Sequence, residues 1–165
     1  MRGGEQLIKP ERPVIGWREW VLLPELLELP IKAKIDTGAR TSSIHSFGTR
    51  RFSDGGAPHV EFLLHPIQRQ GLPEIACVAP IKDERLVRSS NGEAELRLVV
   101  ETVARLGGVD WPIELTLASR DVMGFRMLLG REAIRQRFLI DPGRSFRQSR
   151  RRRAKVGRRP ERQNL

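Results

Sequence analysis

The sequence predicts an all-β domain whose strands form a compact barrel or sandwich. Short runs of alternating apolar and polar residues recur through positions 13–146, and Gly, Pro and Asn-Gly turn signals separate them. Only one stretch has the spacing of a helix. Many short strands joined by regular turns are typical of such folds, and 165 residues are enough for one domain with its own core.

The first half of the chain contains five predicted strands. An apolar run with Trp17 and Trp20 interleaved occupies positions 14–23 and ends at Pro24. Positions 31–35 alternate apolar and basic side chains, which is the period of a half-buried strand. The three further strand candidates lie at positions 41–45, 59–64 and 75–78.

The second half contains a predicted hairpin and the only predicted helix. Asn91-Gly92 separates two alternating runs at positions 85–88 and 93–100, and this dipeptide is the strongest short-range hairpin signal. The remaining predicted elements are a strand at positions 112–117 and a helix at positions 131–138.

The net charge of +10 is concentrated near the C-terminus. Positions 144–165 hold ten of the thirty Lys and Arg residues and one of the twenty acids, so positions 1–143 carry 20 basic and 19 acidic side chains. The composition predicts a polar lead-in at 1–12, a nearly neutral body at 13–146 and a disordered Arg-rich tail at 147–165. The tail could contact RNA, the ribosome or an acidic protein, or it could be a solvated appendage.

The sequence also predicts a cytoplasmic protein without a membrane span. No stretch of about eighteen apolar residues is present, and the polar positions 1–12 lack the apolar core of a signal peptide. Cys77 is the only cysteine and has no internal disulfide partner. Its apolar neighbours favour a buried strand thiol over a catalytic one.

One short motif, Asp36-Thr37-Gly38, follows the predicted strand at positions 31–35. An aspartate at a strand end, in a turn that glycine permits, presents its carboxylate rigidly. Aspartic peptidases need two such carboxylates, which share one proton and act as base and acid on water and on the amide carbonyl. The chain contains a single Asp-Thr-Gly. We therefore predict Asp36 as the catalytic residue of a homodimer.

A second motif strengthens this interpretation. About ninety residues later, Leu128-Leu129-Gly130-Arg131 leads into the predicted helix, which begins at Arg131. Two apolar residues followed by a glycine and a helix resemble the second half of the retropepsin signature. That resemblance implies that Leu129, Gly130 and Arg131 are structural, with the glycine letting the strand pack against the catalytic loop.

Longer blocks resemble the bacterial retropepsin-like proteins often labelled "ATP-dependent zinc proteases". The resemblance covers positions 13–141. It implies an acid-protease fold, a closed barrel with one short C-terminal helix, and a genomic association with ATP-grasp ligases that add glutamates to ribosomal protein S6. The matching blocks lie at positions 14–20, 33–42, 87–92 and 119–123, and in the Leu-Leu-Gly-Arg segment.

The residues support neither part of that label. No His-Glu-x-x-His is present, and His45, His59 and His65 lack the spacing of a zincin. One cysteine cannot build a Cys-rich zinc site, and no Gly-rich phosphate loop ends in Gly-Lys-Ser/Thr. We predict an activity that needs no metal, ATP or other cofactor.

One position departs from the retroviral pattern. Arg40 stands where retroviral proteases carry an aspartate that pairs with the arginine after the Leu-Leu-Gly glycine, here Arg131. Two arginines cannot form that pair. Either Arg131 finds another acid, with Asp141 and Asp121 as candidates, or the site is built to hold an anion.

The predicted site therefore combines two loops. Thr37, Gly38 and Ala39 form the active-site loop around the catalytic aspartate. The predicted substrate-binding residues are Arg40, Arg88, Asn91 and Gly92, the last three at a hairpin tip that could be a substrate-covering flap.

Two functions follow from this reading of the sequence. The first is an aspartic endopeptidase that acts on protein or peptide substrates, with acidic or glutamate-rich segments favoured by the arginines. The alternative is a non-catalytic module of the same fold that binds protein or RNA. The intact Asp-Thr-Gly favours the peptidase, because a binding module has no need of that carboxylate.

Overall fold

The computed structural model describes residues 11–89, 91–119 and 124–149. The described chain is mostly β, with a single short helix, α1 (Arg131–Ile134). The strands are β1 (Val14–Gly16), β2 (Arg18–Val21), β3 (Ile31–Asp36), β4 (Ser42–His45), β5 (Phe47–Asp54), β6 (Ala57–Leu64), β7 (Ile75–Arg88), β8 (Ala94–Leu106), β9 (Val109–Ala118), β10 (Met127–Gly130) and β11 (Leu139–Asp141).

Nine of these strands form one sheet in the order β2-β3-β10-β4-β9-β8-β7-β6-β5, while β1 and β11 pair in parallel beside it. The strand β10 lies between β3 and β4 in this sheet. It runs parallel to β3 and antiparallel to β4. The pairing of β10 with β3 brings the Asp36 and Leu-Leu-Gly motifs side by side, although they are far apart in sequence. The mostly-β class is confirmed.

The expected closed barrel is wrong, because the sheet does not close on itself. The strand β2 meets β8 only at one bridge, in which Leu22 and Arg105 exchange two backbone hydrogen bonds of 3.1 and 2.8 Å. Pro24 follows two residues later and has no N–H with which to extend such a ladder. At the opposite end of the strand order, β7, β6 and β5 extend the sheet beyond β8.

The core lies on the inner faces of the strands. In β3, Ile31, Ala33 and Ile35 are buried and the residues between them are half-buried, as the alternation predicted. Cys77 is buried in β7 and is a free thiol. Burial raises the pKa of this thiol to about 11, which agrees with the structural interpretation of Cys77.

The structure differs from the sequence prediction in three ways. The run at positions 14–23 is divided at Trp17 into β1 and β2, which lie in different sheets. The predicted helix at 131–138 stops after Ile134, since Arg135 has an extended ψ of 139° and Gln136 then adopts a left-handed φ of 65°. Both β5 and β11 lie where no strand was predicted.

The predicted hairpin is confirmed, and it is longer than the alternating runs suggested. The strands β7 and β8 pair from Ile81–Val100 to Arg88–Ala94. Gly92 has a φ of 84°, which glycine tolerates and which closes the turn. The Ser89 N–H donates to Glu93 O at 2.8 Å, and the Gly92 N–H donates to Ser89 O at 3.0 Å.

Residues 147–149, which the composition placed in the tail, pack against the body. The buried Glu19 side chain holds them: Oε1 accepts from the N–H groups of Arg147 at 2.7 Å and Gln148 at 3.1 Å, and Oε2 accepts from the Ser149 hydroxyl. Oε1 also accepts from the Gly16 N–H at 2.9 Å. The predicted disorder of the rest of the tail lies outside the described residues.

Candidate active site

The Asp36 carboxylate is positioned by its own turn. Asp36 is the last residue of β3, and its Oδ1 accepts from the Gly38 N–H at 3.1 Å and the Ala39 N–H at 3.2 Å. Thr37 and Gly38 are exposed, while Asp36 is half-buried. Two backbone donors on one carboxylate oxygen fix the side chain relative to the main chain. The turn therefore presents a rigid, solvent-accessible carboxyl group.

The Leu-Leu-Gly strand packs directly against this turn. Gly130 stands opposite Asp36 in the parallel pairing of β10 with β3. The Gly130 N–H donates to Ser42 Oγ at 3.0 Å, in a fully buried hydrogen bond. A Cβ on Gly130 would lie 2.5 Å from both the carbonyl carbon and oxygen of Thr41. Only glycine allows the two chain segments to approach so closely.

A Gly130→Ala variant should therefore lose stability and activity together. The added methyl group meets the Thr41 backbone rather than a flexible side chain, so β10 and the loop after Asp36 must separate. We expect a loss of roughly 3 kcal/mol or more in the free energy of unfolding, measured by urea denaturation. Gly71→Ala is the matched control, because a Cβ there meets nothing within 4 Å. Equal stability of the two variants would contradict the packing role.

Arg131 is joined to the Asp36 turn through main-chain oxygens. Its Nη1 donates to Thr37 O at 2.9 Å, and its backbone N–H donates to Ala39 O at 2.7 Å. Among the residues that the structure describes, no carboxylate forms an ion pair with the Arg131 guanidinium. Of the two candidate acids, Asp141 lies 3.8 Å from Arg147, and Asp121 falls outside the described residues.

The predicted site residues fall into two groups. Positions 36–40 and 129–131 come together around the Asp36 turn, where the Glu132 N–H also donates to Arg40 O at 3.1 Å. The Arg40 side chain is exposed, and no carboxylate within the described parts of the chain pairs with it. The other group, at positions 88–92, occupies the turn between β7 and β8, which β4 and β9 separate from β10 in the strand order.

Asn91 has a structural part in that turn. Its Oδ1 accepts from the Ser89 hydroxyl and from the Glu93 N–H, the latter at 3.2 Å. These bonds fix the tip of the hairpin. The roles of Arg88, Asn91 and Gly92 toward a substrate remain predictions.

Sequence reasoning missed the buried hydroxyls beneath the loop. Ser42 accepts from Gly130 as described, and the Thr116 hydroxyl donates to Ser42 O at 3.3 Å. Both residues are buried polar groups in the interior of the sheet. Thr116 lies between Leu115 and Leu117 in β9, and all three are buried, so no alternation marks it. Only the pairing of β4 with β9 shows that Thr116 and Ser42 meet.

Within residues 11–89, 91–119 and 124–149, no three His, Cys, Asp or Glu side chains are grouped so that they could hold a metal ion. In the same ranges no helix is long and apolar enough to cross a membrane.

A strand-end Asp-Thr-Gly turn, braced by a Leu-Leu-Gly strand in a mostly-β domain, defines the retropepsin-like class of proteins. A sequence model of the RimB-like family, described as "Retropepsin-like aspartic endopeptidase RimB", matches residues 14–151. The chain belongs to this RimB-like family.

Curated relatives show a larger architecture. The chain is 50% identical over 133 residues to a protein named "Probable alpha-L-glutamate ligase" from Shewanella pealeana, and the match covers 81% of this chain and 29% of that protein. A protein of the same name from Desulfotalea psychrophila is 44% identical over 131 residues, with coverages of 79% and 28%. The chain thus spans less than a third of the length of these relatives.

A solved structure shares the fold. A crystal structure of a Legionella pneumophila protein of unknown function superposes with a TM-score of 0.70 at 23% identity. The superposition covers 82% of this chain and 98% of that one.

Proposed function

We propose that this chain is one subunit of a homodimeric aspartic endopeptidase that cleaves acidic or glutamate-rich protein segments. The observation that carries the proposal is the single Asp36 carboxylate, fixed by the amides of Gly38 and Ala39 in an accessible turn. A dyad needs two carboxylates, so a second copy of the chain would supply the other. The two Asp36 side chains would then face each other near a two-fold axis.

The chemistry follows from placing two carboxyl groups close together. They cannot both ionise easily, so the pair holds one proton. The ionised carboxylate takes a proton from water as the water oxygen attacks the peptide carbonyl, and the protonated carboxyl donates to the carbonyl oxygen. Proton transfer to the amide nitrogen then releases the amine and the acid. The backbone donors on Oδ1 keep the geometry fixed throughout these steps.

Two observations support an acidic substrate. The exposed Arg40 lies directly after the catalytic turn, and its planar guanidinium can hold a carboxylate through two parallel hydrogen bonds. The curated relatives that contain this domain are named as probable glutamate ligases. A peptidase joined to such an enzyme would meet glutamate-extended chains.

The first experiment is an inhibition assay on the purified protein with acidic and neutral peptides. A pepstatin-type inhibitor should stop cleavage, and EDTA should leave it unchanged. Loss of cleavage on chelation, restored specifically by zinc, would overturn the metal-independent mechanism. Cleavage that is insensitive to the inhibitor and independent of Asp36 would overturn the assignment to aspartic peptidases.

An Arg40→Ala variant should lose preference for acidic peptides. One charge-assisted contact is worth about 1.5–3 kcal/mol, so the ratio of kcat/KM for acidic over neutral peptides should fall by roughly ten- to a hundredfold. The matched control is Arg50→Ala on β5, at the opposite end of the strand order. Equal weakening of both substrates would show that Arg40 supports the loop or the dimer and does not read the substrate.

A further inference from the structure

A cleft with a volume of about 420 Å³ lies at the C-terminal end of α1. We call it the α1 cleft. Two cations, one carboxylate and one amide line it, and all four residues are exposed: Glu132, Arg135, Gln136 and Arg137. Each of these side chains ends in a group that forms hydrogen bonds. The lining is therefore suited to a charged, polar ligand.

A tight turn after α1 brings three of the lining residues together. Arg135 has a φ of −53° and a ψ of 139°, Gln136 has a φ of 65°, and the Arg137 N–H donates to Ile134 O at 3.1 Å. These values have the form of a type II turn, whose third position requires a positive φ and usually holds glycine or asparagine. Gln136 occupies that position and contributes a longer polar side chain to the lining.

The cations of the α1 cleft are weakly neutralised. Arg135 Nη1 lies 3.5 Å from Glu132 Oε1, and the two side chains are 57% and 46% exposed. An exposed ion pair of this kind contributes little to stability, so the carboxylate of a ligand can replace Glu132 beside Arg135. Within the part of the chain that the structure describes, the Arg137 guanidinium and the Gln136 amide have no hydrogen-bond or ion-pair partner. Both groups are available to a ligand.

The α1 cleft adjoins the candidate active site. Glu132, which lines the cleft, donates its N–H to Arg40 O at 3.1 Å, and the preceding Arg131 donates its N–H to Ala39 O at 2.7 Å. Arg40, whose exposed side chain follows the Asp36 turn, is thus hydrogen-bonded through its backbone to a residue of the cleft. An extended chain that passes Arg40 can continue toward Arg135 and Arg137.

We propose that the α1 cleft is an exosite, which binds carboxylate side chains of an acidic protein substrate outside the segment that is cleaved. Arg135 and Arg137 would hold carboxylates through paired N–H donors, and Gln136 would donate from its amide. The inference rests on the proposed peptidase function and extends it. The acidic substrate would be recognised at two places, beside the Asp36 turn by Arg40 and at the cleft.

The composition of the lining favours an acidic peptide over other anions. Two arginines and one glutamate give a net charge of +1, and the Glu132 carboxylate repels a ligand whose negative charges are closely spaced, such as polyphosphate. None of the four lining side chains carries a ring on which a nucleic-acid base could stack. Planar guanidinium groups, by contrast, match the geometry of carboxylates.

The test measures binding, so its outcome does not depend on cleavage. Full-length protein carrying Asp36→Asn is titrated into a fluorescein-labelled peptide of about twelve glutamates, which spans roughly 40 Å when extended, and fluorescence anisotropy gives the Kd. Arg137→Gln should weaken binding by roughly fivefold, the upper value for one exposed arginine–carboxylate pair. The matched control is Arg69→Gln, which removes an exposed arginine between β6 and β7. Because salt screens a remote charge, the control should change the Kd by less than about twofold.

A Glu132→Gln variant should have the opposite effect. The amide removes the carboxylate that competes for Arg135, so oligoglutamate should bind roughly two- to fivefold more tightly. Partial unfolding does not produce a gain in affinity, so this variant keeps the test decisive if Arg137→Gln unfolds, as circular dichroism would show. Its matched control is Glu28→Gln, an exposed acid between β2 and β3, which should change the Kd by less than about twofold.

Three results would overturn the exosite. They are an Arg137→Gln variant that binds oligoglutamate like Arg69→Gln, a Glu132→Gln variant that gains nothing over Glu28→Gln, and tighter binding of polyphosphate or single-stranded RNA than of oligoglutamate with the same dependence on Arg137. The proposed peptidase would survive each of them, because cleavage that depends on Asp36 and Arg40 is measured separately. Conversely, cleavage that is independent of Asp36 would overturn the peptidase mechanism and leave the Kd changes at the cleft measurable.

Discussion

An Asp36→Asn variant is expected to lose peptide cleavage by roughly a thousandfold or more, while folding like the wild type. The amide cannot take a proton from water, and loss of general acid–base catalysis costs about a hundred- to ten-thousandfold. The asparagine oxygen can still accept from the Gly38 and Ala39 amides, which now hold Asp36 Oδ1. Initial rates on one peptide, with urea denaturation of both proteins, measure the two effects.

The matched control for this variant is Asp54→Asn. Asp54 is exposed at the end of β5, at the far end of the strand order from β2. The Asp54→Asn variant should retain the wild-type rate of peptide cleavage. Cleavage by Asp36→Asn within a few-fold of wild type would show that the carboxylate is a turn residue, and the non-catalytic interpretation would then stand.

A Glu19→Ala variant is expected to lose about 3–5 kcal/mol in the free energy of unfolding. Glu19 Oε1 accepts from the backbone N–H groups of Gly16, Arg147 and Gln148. Alanine would leave these donors without their partner, and each unsatisfied buried donor costs about 1–3 kcal/mol. Since the same carboxylate binds residues 147–149, they should also detach. Urea denaturation and hydrogen exchange of these amides report the two effects.

The Glu19→Gln variant distinguishes the contribution of the hydrogen bonds to stability from that of the negative charge. Its amide oxygen can accept from the same three N–H groups, so a smaller loss of stability is expected than with alanine. Glu28→Ala serves as the control, because an exposed side chain usually changes stability by about 0.5 kcal/mol or less. A loss under about 1 kcal/mol for Glu19→Ala would contradict the anchoring role.

Local patterns predicted the strands that have one buried and one outward face. The alternation at positions 31–35 located β3, and Asn91-Gly92 located the turn between β7 and β8, since both signals are read within a few residues. The β5 residues are mostly exposed and show no apolar alternation, so that strand carried no such signal. The helix ends where the backbone becomes extended at Arg135 and left-handed at Gln136, and the local composition does not encode this change.

Pairing between distant segments was harder to foresee. Glu19 lies between two tryptophans in sequence and gave no sign that it would bind residues 147–149, about 130 positions away. The site was predicted in part, because Asp36 and Gly130 each belong to a recognisable motif. The hydrogen bond from Arg131 to Thr37 O was not predicted, since the retroviral pattern suggested a carboxylate partner for this arginine.

The most direct test of the proposed enzyme is subunit mixing. Wild-type and Asp36→Asn chains are unfolded, combined in equal amounts and refolded, and cleavage is compared with the same total amount of wild-type chain. If each site needs Asp36 from two subunits, only dimers of two wild-type chains cleave. The rate should then fall to about one quarter, the fraction of such dimers in a random two-chain assembly. A rate of about one half would mean that each chain acts by itself, and would contradict a shared dyad.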